Sequence, residues 1–349
     1  TPIPEVLTYF RSPRRSQPVW ELQLGLLLGV GLAVIRDKLD NTVKNRETLE
    51  EITGVGTVGS IPLDKERRKQ PAILFERDNS PIAEAFRKLR TNLQFLAVDN
   101  PPRVIVVTSS TPSEGKSTTA INIALALAEA QHQVVLVDGD MRRPSLHKYL
   151  DLIGPVGFST VLSGQAELGD ALQKSQFTGL TVLTSGAVPP NPSELLGSQA
   201  ARNLLRDLRS QFDYVIVDSS PLLAVTDSAI LAANSDGVLV ISRFGQTRRD
   251  QLTHAVGALL DVGATILGAV FTLTPARGSA SYSYNYYYGE ATGIDASRSA
   301  AGSDSRSSRH GRAGRADGRN GHRATTDGAE SSADIASAGR GRSSHDAPE

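Results

Sequence analysis

Residues 104–119 read VIVVTSSTPSEGKSTT, and this segment dictates the architecture expected for the rest of the chain. It begins with an apolar run typical of a buried strand, continues through a loop of small residues, and ends at the start of a helix. Such a loop points backbone N–H groups inward and forms a nest for phosphate oxygens. Lys116 can reach the β- and γ-phosphates of ATP, and the hydroxyl of Ser117 suits Mg²⁺. The residues expected to hold the nucleotide are Ser113, Glu114, Gly115, Lys116, Ser117 and Thr118.

The motif deviates from the usual G-x-x-x-x-G-K-[ST] pattern because Ser110 stands at its first glycine. A chance Gly-Lys-Ser tripeptide in an ordinary loop is the alternative interpretation. The Val-rich run before the loop and the helical pattern after it favour the phosphate-binding loop.

From residue 104 to about residue 272 the chain alternates short apolar runs with helical patterns. The predicted strands cover residues 104–108, 134–137, 180–183, 214–217, 237–241 and 266–271. The predicted helices cover residues 117–129, 193–211 and 251–262. Strands that lack polar alternation and are separated by helices are typical of a parallel sheet covered on both faces. The sequence therefore predicts a doubly wound α/β domain that binds its ligand at the carboxyl ends of the strands.

Three aspartates directly follow predicted strands of this sheet. Asp138 and Asp140 follow one strand and Asp218 follows another. A carboxylate at the end of a strand beside a phosphate loop holds Mg²⁺ directly or through water. For each aspartate alone, a role in a turn or helix cap is the commoner explanation. Their joint occurrence favours phosphoryl-transfer chemistry, in which a metal ion and a lysine offset the developing charge.

The composition excludes some classes of protein and leaves others open. The 349 residues include 37 basic and 37 acidic side chains, so the chain carries no excess of positive charge that would attract nucleic acid. Cysteine is absent, which excludes a disulfide framework and fits a reducing compartment. Because the first residue is Thr rather than Met, we expect the sequence to be part of a longer protein.

The N-terminal part is predicted to be a linker, a membrane span and a second linker. Residues 1–18 are rich in Pro and Arg, and residues 19–36 contain an apolar run just long enough for a transmembrane helix. A buried helix of a soluble domain is the alternative, and basic residues on both sides leave the orientation undecided. Residues 37–80 are mostly polar and predict a second linker, for which the family resemblance described below implies a cytoplasmic location. Its charged run at 65–69 is interpreted as solvated, with contact to anionic lipid as the alternative.

A helix is expected to begin at Pro81 and to open the main domain, residues 81–275. Glu84, Arg87 and Arg90 recur every three residues on one side of this helix. The spacing alone favours an exposed ion-pair face over an interface between subunits.

Five tyrosines crowd into residues 282–288, within a Ser- and Gly-rich segment, 276–291. A cluster of this kind cannot be entirely core, so it is either a β-prone, sticky segment or a set of exposed phosphate acceptors. The candidate acceptors are Tyr282, Tyr284, Tyr286, Tyr287 and Tyr288. Residues 292–349 carry almost no apolar bulk and predict a disordered tail.

These linked motifs resemble those of the bacterial tyrosine kinases (BY-kinases) of the polysaccharide co-polymerase type, which are the autokinases of capsule and exopolysaccharide assembly. The resemblance covers roughly residues 18–290. The segments that carry it are the phosphate loop at 109–117, the second acidic motif at 134–144, the third motif at 215–227, the Pro-rich segment at 186–196, the E-x-x-R-x-x-R element at 84–90, the tyrosine cluster, and the apolar run before Arg36.

The resemblance implies an ATP- and Mg²⁺-dependent autokinase with a P-loop fold related to the partition ATPases. In it, Lys116 and Ser117 would hold nucleotide and metal, and Asp138 would contact the metal and activate the acceptor hydroxyl. Asp140 and Asp218 would support the metal, so that the expected metal-contacting residues are Ser117, Asp138 and Asp218. Tyrosines of one subunit would enter the site of its neighbour.

The resemblance also implies an assembly and a location. Glu84, Arg87 and Arg90 would pack subunits into a ring, which accumulated phosphate would loosen. Membrane, polysaccharide assembly proteins and a tyrosine phosphatase are the implied partners, with no nucleic acid. The implied location is the inner membrane, with the kinase domain in the cytoplasm.

Two residues depart from the family pattern. Ser113 stands where the family usually has Gly, which predicts a stiffer loop. Thr272 replaces the common Asn, which predicts an altered nucleobase pocket.

Two other functions remain open at this point. A partition or septum-positioning ATPase shares the expected fold, but the loop lacks the extra early lysine of that group and the tyrosine cluster stays unexplained. A nucleotide-binding scaffold of an export complex is the third possibility.

Overall fold

The computed structural model describes residues 19–64, 71–96 and 101–275, which belong to one compact unit. Their centre is an eight-stranded sheet in the order β1-β8-β7-β2-β6-β3-β5-β4. Neighbouring strands are parallel throughout, except that β4 pairs antiparallel with β5. The strands are β1 (Thr57–Pro62), β2 (Val104–Ser109), β3 (Val134–Asp138), β4 (Leu172–Lys174), β5 (Leu180–Leu183), β6 (Tyr214–Asp218), β7 (Gly237–Arg243) and β8 (Ile266–Thr274).

Helices cover both faces of this sheet, as expected for a doubly wound fold. The helices in the described ranges are α1 (Val19–Leu39), α2 (Arg46–Thr53), α3 (Pro81–Phe95), α4 (Lys116–Glu129), α5 (Leu146–Tyr149), α6 (Phe158–Leu162), α7 (Leu168–Ala171), α8 (Pro192–Leu196), α9 (Gln199–Gln211), α10 (Asp227–Ala233) and α11 (Arg249–Asp261). A 3₁₀ turn at Phe75–Arg77 precedes α3.

The central strands are apolar on both faces because each face meets a separate hydrophobic core. Along β2, Val104 and Val106 belong to one core, whereas Ile105 and Val107 belong to the other. These side chains are at most 3% exposed. Complete burial of a Val or Ile side chain contributes about 1.5–3 kcal/mol, so the four residues hold the strand that leads into the phosphate loop firmly in place.

The six predicted strands are confirmed, and each ends within three residues of its expected end. The predicted helix over 193–211 is instead two helices, α8 and α9, which meet at Gly197 and Ser198. The side chain of Ser198 accepts a hydrogen bond from Ala201 N at 3.2 Å and thereby caps a new helix.

Part of the segment predicted to be a linker, 37–80, is folded into the domain. It forms α2 and β1, and β1 pairs with β8 at the edge of the sheet. Gly59 allows α3 to approach closely, because a Cβ atom there would lie 3.0 Å from Leu89 Cδ1. The short, Gly-containing strand carries little local signal, and its stability comes from the β8 ladder and from α3.

The predicted transmembrane helix is not supported by the structure. A helix does form as α1, but none of the helices in the described ranges is long and apolar enough to cross a membrane. Glu21 stands in its first turn, and Arg36, Asp37 and Lys38 stand near its end. The uncharged apolar centre, residues 24–35, therefore spans roughly 18 Å at 1.5 Å per residue, against about 30 Å of hydrocarbon.

The segment after α1 is attached to the loop between β7 and α11. Val43 N donates to Thr247 O at 2.8 Å, and Gly245 N donates to Val43 O at 2.9 Å. Asn41 O accepts from Arg249 N at 2.8 Å. Val43 is fully buried, so this segment is an integral part of the domain that also contains the phosphate loop.

Candidate active site

The predicted site residues converge at the carboxyl edge of three neighbouring strands. In the register of the sheet, Asp138 on β3 lies opposite Asp218 on β6, and Asp218 lies opposite Val107 on β2. The phosphate loop follows β2 directly. The expected grouping of Lys116 with the three aspartates is therefore found in the structure. In the chain, β4, β5 and several helices lie between Asp138 and Asp218.

The phosphate loop, residues 110–115, joins β2 to the N-terminus of α4. Gly115 adopts φ 95° and Ser113 adopts φ 66°, and both values lie in the left-handed region. Glycine reaches this region freely, whereas Ser113 is strained by its Cβ atom. The first amides of α4 have no partner within the helix and carry the positive end of its dipole, so the loop and the helix together favour an anion. Ser117 and Thr118 lie in the first turn.

Lys116 is the cation of the site. Its Nζ lies 3.2 Å from Asp140 Oδ2 and 3.8 Å from Asp218 Oδ1, and its side chain is 13% exposed. Burial alone would lower the pKa of Lys116, but the charges of Asp218 and Asp140 outweigh it and raise the pKa above its usual value. The lysine is therefore protonated and available to neutralise phosphate oxygens.

Asp138 is fully buried, and its two oxygens have different surroundings. Oδ2 accepts from Ser145 N and Leu146 N, each at 3.0 Å, whereas Oδ1 has no hydrogen-bond partner. Burial, reinforced by the charge of Asp218, raises the pKa of Asp138 to about 7. A carboxylate with this pKa and one free oxygen can accept a proton near neutral pH.

Asp218 is also fully buried, and neither of its carboxylate oxygens has a hydrogen-bond partner of ordinary geometry. Burial raises the pKa of Asp218 as well. Unpaired buried carboxylate oxygens are costly unless a cation meets them, and oxygen is the ligand that Mg²⁺ prefers. Oδ1 of Asp138 and the carboxylate of Asp218, which lies 3.8 Å from Lys116 Nζ, fit a divalent cation together with the Ser117 hydroxyl at the start of α4.

In the described ranges, no group of three or more His, Asp or Glu side chains is arranged to hold a metal ion by itself. Magnesium at nucleotide sites takes one or two carboxylates and completes its shell with phosphate and water. Ser117, Asp138 and Asp218 therefore remain the candidate metal-contacting residues, with phosphate oxygens as the further ligands.

Gly139 has a role that the sequence analysis missed. Its N–H donates to Asp218 O at 2.7 Å, and a Cβ atom at this position would lie 2.9 Å from that same carbonyl oxygen. Only glycine allows the two strands that carry Asp138 and Asp218 to approach this closely. The motif around residue 139 showed the glycine, but not the strand against which it packs.

Arg142 forms a second unpredicted contact beside the site. Its guanidinium donates to both carboxylate oxygens of Asp227, at 2.8 and 3.2 Å, and to Ser193 Oγ at 3.1 Å. Asp227 is fully buried, so this fork links the loop after β3 to α8 and α10. Both residues stand in segments quoted above for the family resemblance, but no local pattern predicts that they pair.

Glu84, Arg87 and Arg90 lie on α3, outside the carboxylate cluster. Arg87 Nε and Arg90 Nη1 contact the carboxylate of Glu129 on α4, at 3.2 and 2.9 Å. Arg87 also donates to Phe75 O at 2.8 Å, and Arg90 donates to Ala126 O at 2.9 Å. The two arginines are about one-fifth exposed, whereas Glu84 is 53% exposed. The bonds to α4 show that the arginines do more than form an exposed face.

Several predicted features lie outside the described residues. These are the linker at 1–18, the charged run at 65–69, the tail at 292–349 and the tyrosine cluster with its five acceptors, Tyr282, Tyr284, Tyr286, Tyr287 and Tyr288.

Comparison with known proteins agrees with this geometry. A family model described as an AAA domain matches residues 102–258. The chain is 36% identical over 221 residues to tyrosine-protein kinase YwqD of Bacillus subtilis (strain 168), a match that covers 63% of this chain and 92% of that protein. It is 33% identical over 281 residues to tyrosine-protein kinase Etk of Escherichia coli (strain K12), covering 75% of this chain but only 39% of that longer protein.

Solved structures show the same relationship. The kinase domain of the E. coli tyrosine kinase ETK superimposes with a TM-score of 0.61 at 31% identity, covering 68% of this chain and 96% of that one. The chimerical protein CapA2B2 gives a TM-score of 0.62 at 34% identity and is covered completely by 66% of this chain.

Proposed function

The chain belongs to the bacterial tyrosine-protein kinases, and we propose that it transfers the γ-phosphate of ATP to the tyrosines at 282–288 of a neighbouring copy. The observation that carries this proposal is the convergence of the phosphate loop, Lys116 and three aspartates at one edge of the sheet. An ATP-dependent transfer reaction needs a phosphate cradle, a cation and a proton acceptor, and these residues supply all three.

The phosphate end of the reaction is assigned to the loop and α4. The amides of residues 113–118 and the helix dipole bind the β- and γ-phosphates, and the Lys116 ammonium stabilises charge on the transferring group. Ser117, Asp138 and Asp218 would hold Mg²⁺, which, when bound, neutralises the phosphate oxygens. Asp140, 3.2 Å from Lys116 Nζ, keeps the lysine directed toward the site.

The acceptor end is assigned to Asp138. Its carboxylate takes the proton from the tyrosine hydroxyl, the phenolate oxygen forms a bond to the γ-phosphorus, and the bond to the β,γ-bridging oxygen breaks to release ADP. Burial raises the pKa of Asp138 above that of an ordinary aspartate, which makes its carboxylate a better proton acceptor. Each phosphate adds roughly −1.5 to −2 charges to the acceptor segment.

The direct test is incubation of the purified chain with labelled ATP and Mg²⁺, followed by peptide mapping. Label retained on Tyr282–Tyr288 supports the kinase, and release of free phosphate alone would instead identify an ATPase. Nucleotide binding without either product would identify a scaffold. Lys116→Met should abolish labelling, and Lys174→Met, an exposed lysine at the far edge of the sheet, is the matched control.

We further propose that copies assemble through α3. The resemblance to the ring-forming kinases and the 53% exposure of Glu84 support this. Replacing Glu84, Arg87 and Arg90 by Ala together should lower the assembly mass measured by light scattering. Glu84→Ala alone distinguishes loss of the interface from damage within the subunit, because it leaves the bonds of both arginines to Glu129 in place. An unchanged mass in both variants would remove α3 from the interface.

The cellular role follows from the same family resemblance. We propose that the kinase domain faces the cytoplasm at the inner membrane and controls exopolysaccharide polymerisation and export, with a phosphatase as its antagonist. Exposed leucines of α1, among them Leu26 and Leu27 at 70% each, support an apolar environment for this helix. Cell fractionation tests the location, and polymer length in a Lys116→Met strain tests the role. Unaltered polymer in that strain would contradict it.

A further inference from the structure

The side chain of Glu114 makes contacts that nucleotide binding by the loop amides does not explain. It is a carboxylate inside the phosphate loop, it is 1% exposed, and burial raises its pKa. A negative charge beside a phosphate cradle opposes anion binding, so its presence calls for a structural reason. Both of its carboxylate oxygens accept hydrogen bonds from the protein.

Within the loop, Glu114 closes a short ring with Thr111. Thr111 N donates to Glu114 Oε2 at 3.1 Å, and Thr111 Oγ1 donates to Glu114 Oε1 at 3.0 Å. These bonds join the two ends of the turn that contains Ser113, which holds a strained left-handed conformation. The turn therefore keeps its shape through the Glu114 side chain.

Outside the phosphate loop, two threonines donate hydrogen bonds to Glu114. Thr247 Oγ1, in the loop after β7, donates to Glu114 Oε1 at 2.5 Å and accepts from Arg243 N at 2.8 Å. Thr272 Oγ1, on β8, donates to Glu114 O at 2.5 Å. Both threonines are at most 3% exposed. Arg243 adds a bond to Ser113 O at 3.2 Å.

We propose that Glu114, Thr247 and Thr272 form a clamp that holds the phosphate loop in its nucleotide-binding shape before ATP arrives. Glu114 is thus a positioning residue through its side chain, besides offering its amide to phosphate. Thr272, which replaces the Asn common in the family pattern, contacts the phosphate loop through its bond to Glu114 O. The clamp rests on the proposed function only in that ATP is the ligand of the loop.

The clamp predicts a change in affinity rather than in turnover. A loop freed from its clamp must be ordered by the incoming phosphates, and this ordering subtracts from the binding free energy. Once ATP is bound, the phosphates themselves hold the amides in place. Thr247 donates to a carboxylate, so loss of that bond should weaken ATP binding about tenfold. Thr272 donates to a backbone carbonyl oxygen, so loss of that bond should weaken ATP binding about threefold.

The test uses Thr247→Val and Thr272→Val in the full chain, which remove each hydroxyl while keeping the side-chain volume. Titration with a fluorescent ATP analogue and Mg²⁺ should show Kd and KM raised about tenfold in Thr247→Val and about threefold in Thr272→Val, with kcat at saturating ATP changed less than twofold. Thr247→Ser, which keeps the hydroxyl, should restore the affinity. Thr253→Val, an exposed threonine on α11, is the matched control.

Unchanged affinity in both valine variants would overturn the clamp. Loss of the fold by circular dichroism, or a fall in kcat at unchanged KM, would also count against it, because either result indicates a purely structural role. The proposed kinase function fails separately, since a wild-type chain that binds ATP but forms no phosphotyrosine still reports the affinity differences.

Discussion

Replacement of Asp138 by Asn should make the protein more stable and inactive at the same time. The fully buried carboxylate of Asp138 faces the charge of Asp218, and the structure offers no hydrogen bond to its Oδ1. Asn keeps an oxygen that can accept from Ser145 N and Leu146 N. The substitution therefore removes a charge that the fold penalises while it preserves the two bonds that hold the side chain.

The magnitude follows from the pKa of Asp138, which rises from its usual 3.8 to about 7 on folding. Between these two pH values the folded protein binds a proton that the unfolded chain has lost. The contribution of Asp138 to the free energy of unfolding therefore falls as pH rises from about 4 to about 7, and the fall stops above pH 7. At 1.36 kcal/mol per pKa unit, a shift of about three units destabilises the folded state by ~4 kcal/mol. This is an upper value, because Asp138 and Asp218 repel each other and titrate as a coupled pair.

The assay is urea unfolding of both proteins, followed by circular dichroism in the presence of a chelator. The stability gain of Asp138→Asn should be about 2–3 kcal/mol larger at pH 8 than at pH 5. Phosphotyrosine formation, measured separately with ATP and Mg²⁺, should be lost. Asp207→Asn, exposed on α9, controls for the change of residue type. A gain that is equal at both pH values, or a loss that grows with pH, would refute the reasoning.

Three further substitutions test other parts of the site by urea unfolding. Ser113→Gly should stabilise the chain by about 0.5 kcal/mol, because the left-handed strain of ~1–2 kcal/mol exceeds the entropy that Gly adds; destabilisation would contradict the φ of 66°. Gly139→Ala should cost about 1–3 kcal/mol and slow autophosphorylation, because its Cβ atom would lie 2.9 Å from Asp218 O; an unchanged variant would contradict this packing. Glu129→Ala should cost ~1–2 kcal/mol by leaving Arg87 and Arg90 without their shared carboxylate, and no loss would show that solvent already screens both pairs.

The sequence carried enough local information to locate the phosphate loop and the central strands. The apolar run before Ser110 and the Gly-Lys-Ser tripeptide at 115–117 lie in one short segment of the chain. That segment therefore specifies strand, loop and helix together. The aspartates were found for the same reason, since Asp138 and Asp140 stand at the end of one strand and Asp218 at the end of another. Burial on both faces of the sheet leaves a continuous apolar run that can be recognised without a partner.

Features that depend on a distant partner were missed or misjudged. The edge strand β1 has little apolar character of its own and becomes a strand because β8 and α3 cover it. The length of α1 suggested a membrane span, but charges near both ends shorten its apolar centre.

The sequence alone predicts a parallel α/β phosphate-loop protein with carboxylates at the ends of its strands. It can do so because the burial of a strand and the chemistry of a loop each depend on residues that are neighbours in the chain. The tertiary structure alone pairs Arg142 with Asp227, joins Arg87 and Arg90 to Glu129, and fastens Glu114 to Thr247 and Thr272. Side-chain hydrogen bonds between residues far apart in the chain leave no periodic signal, since each needs only one donor and one acceptor, which the fold brings within 3 Å or so of each other.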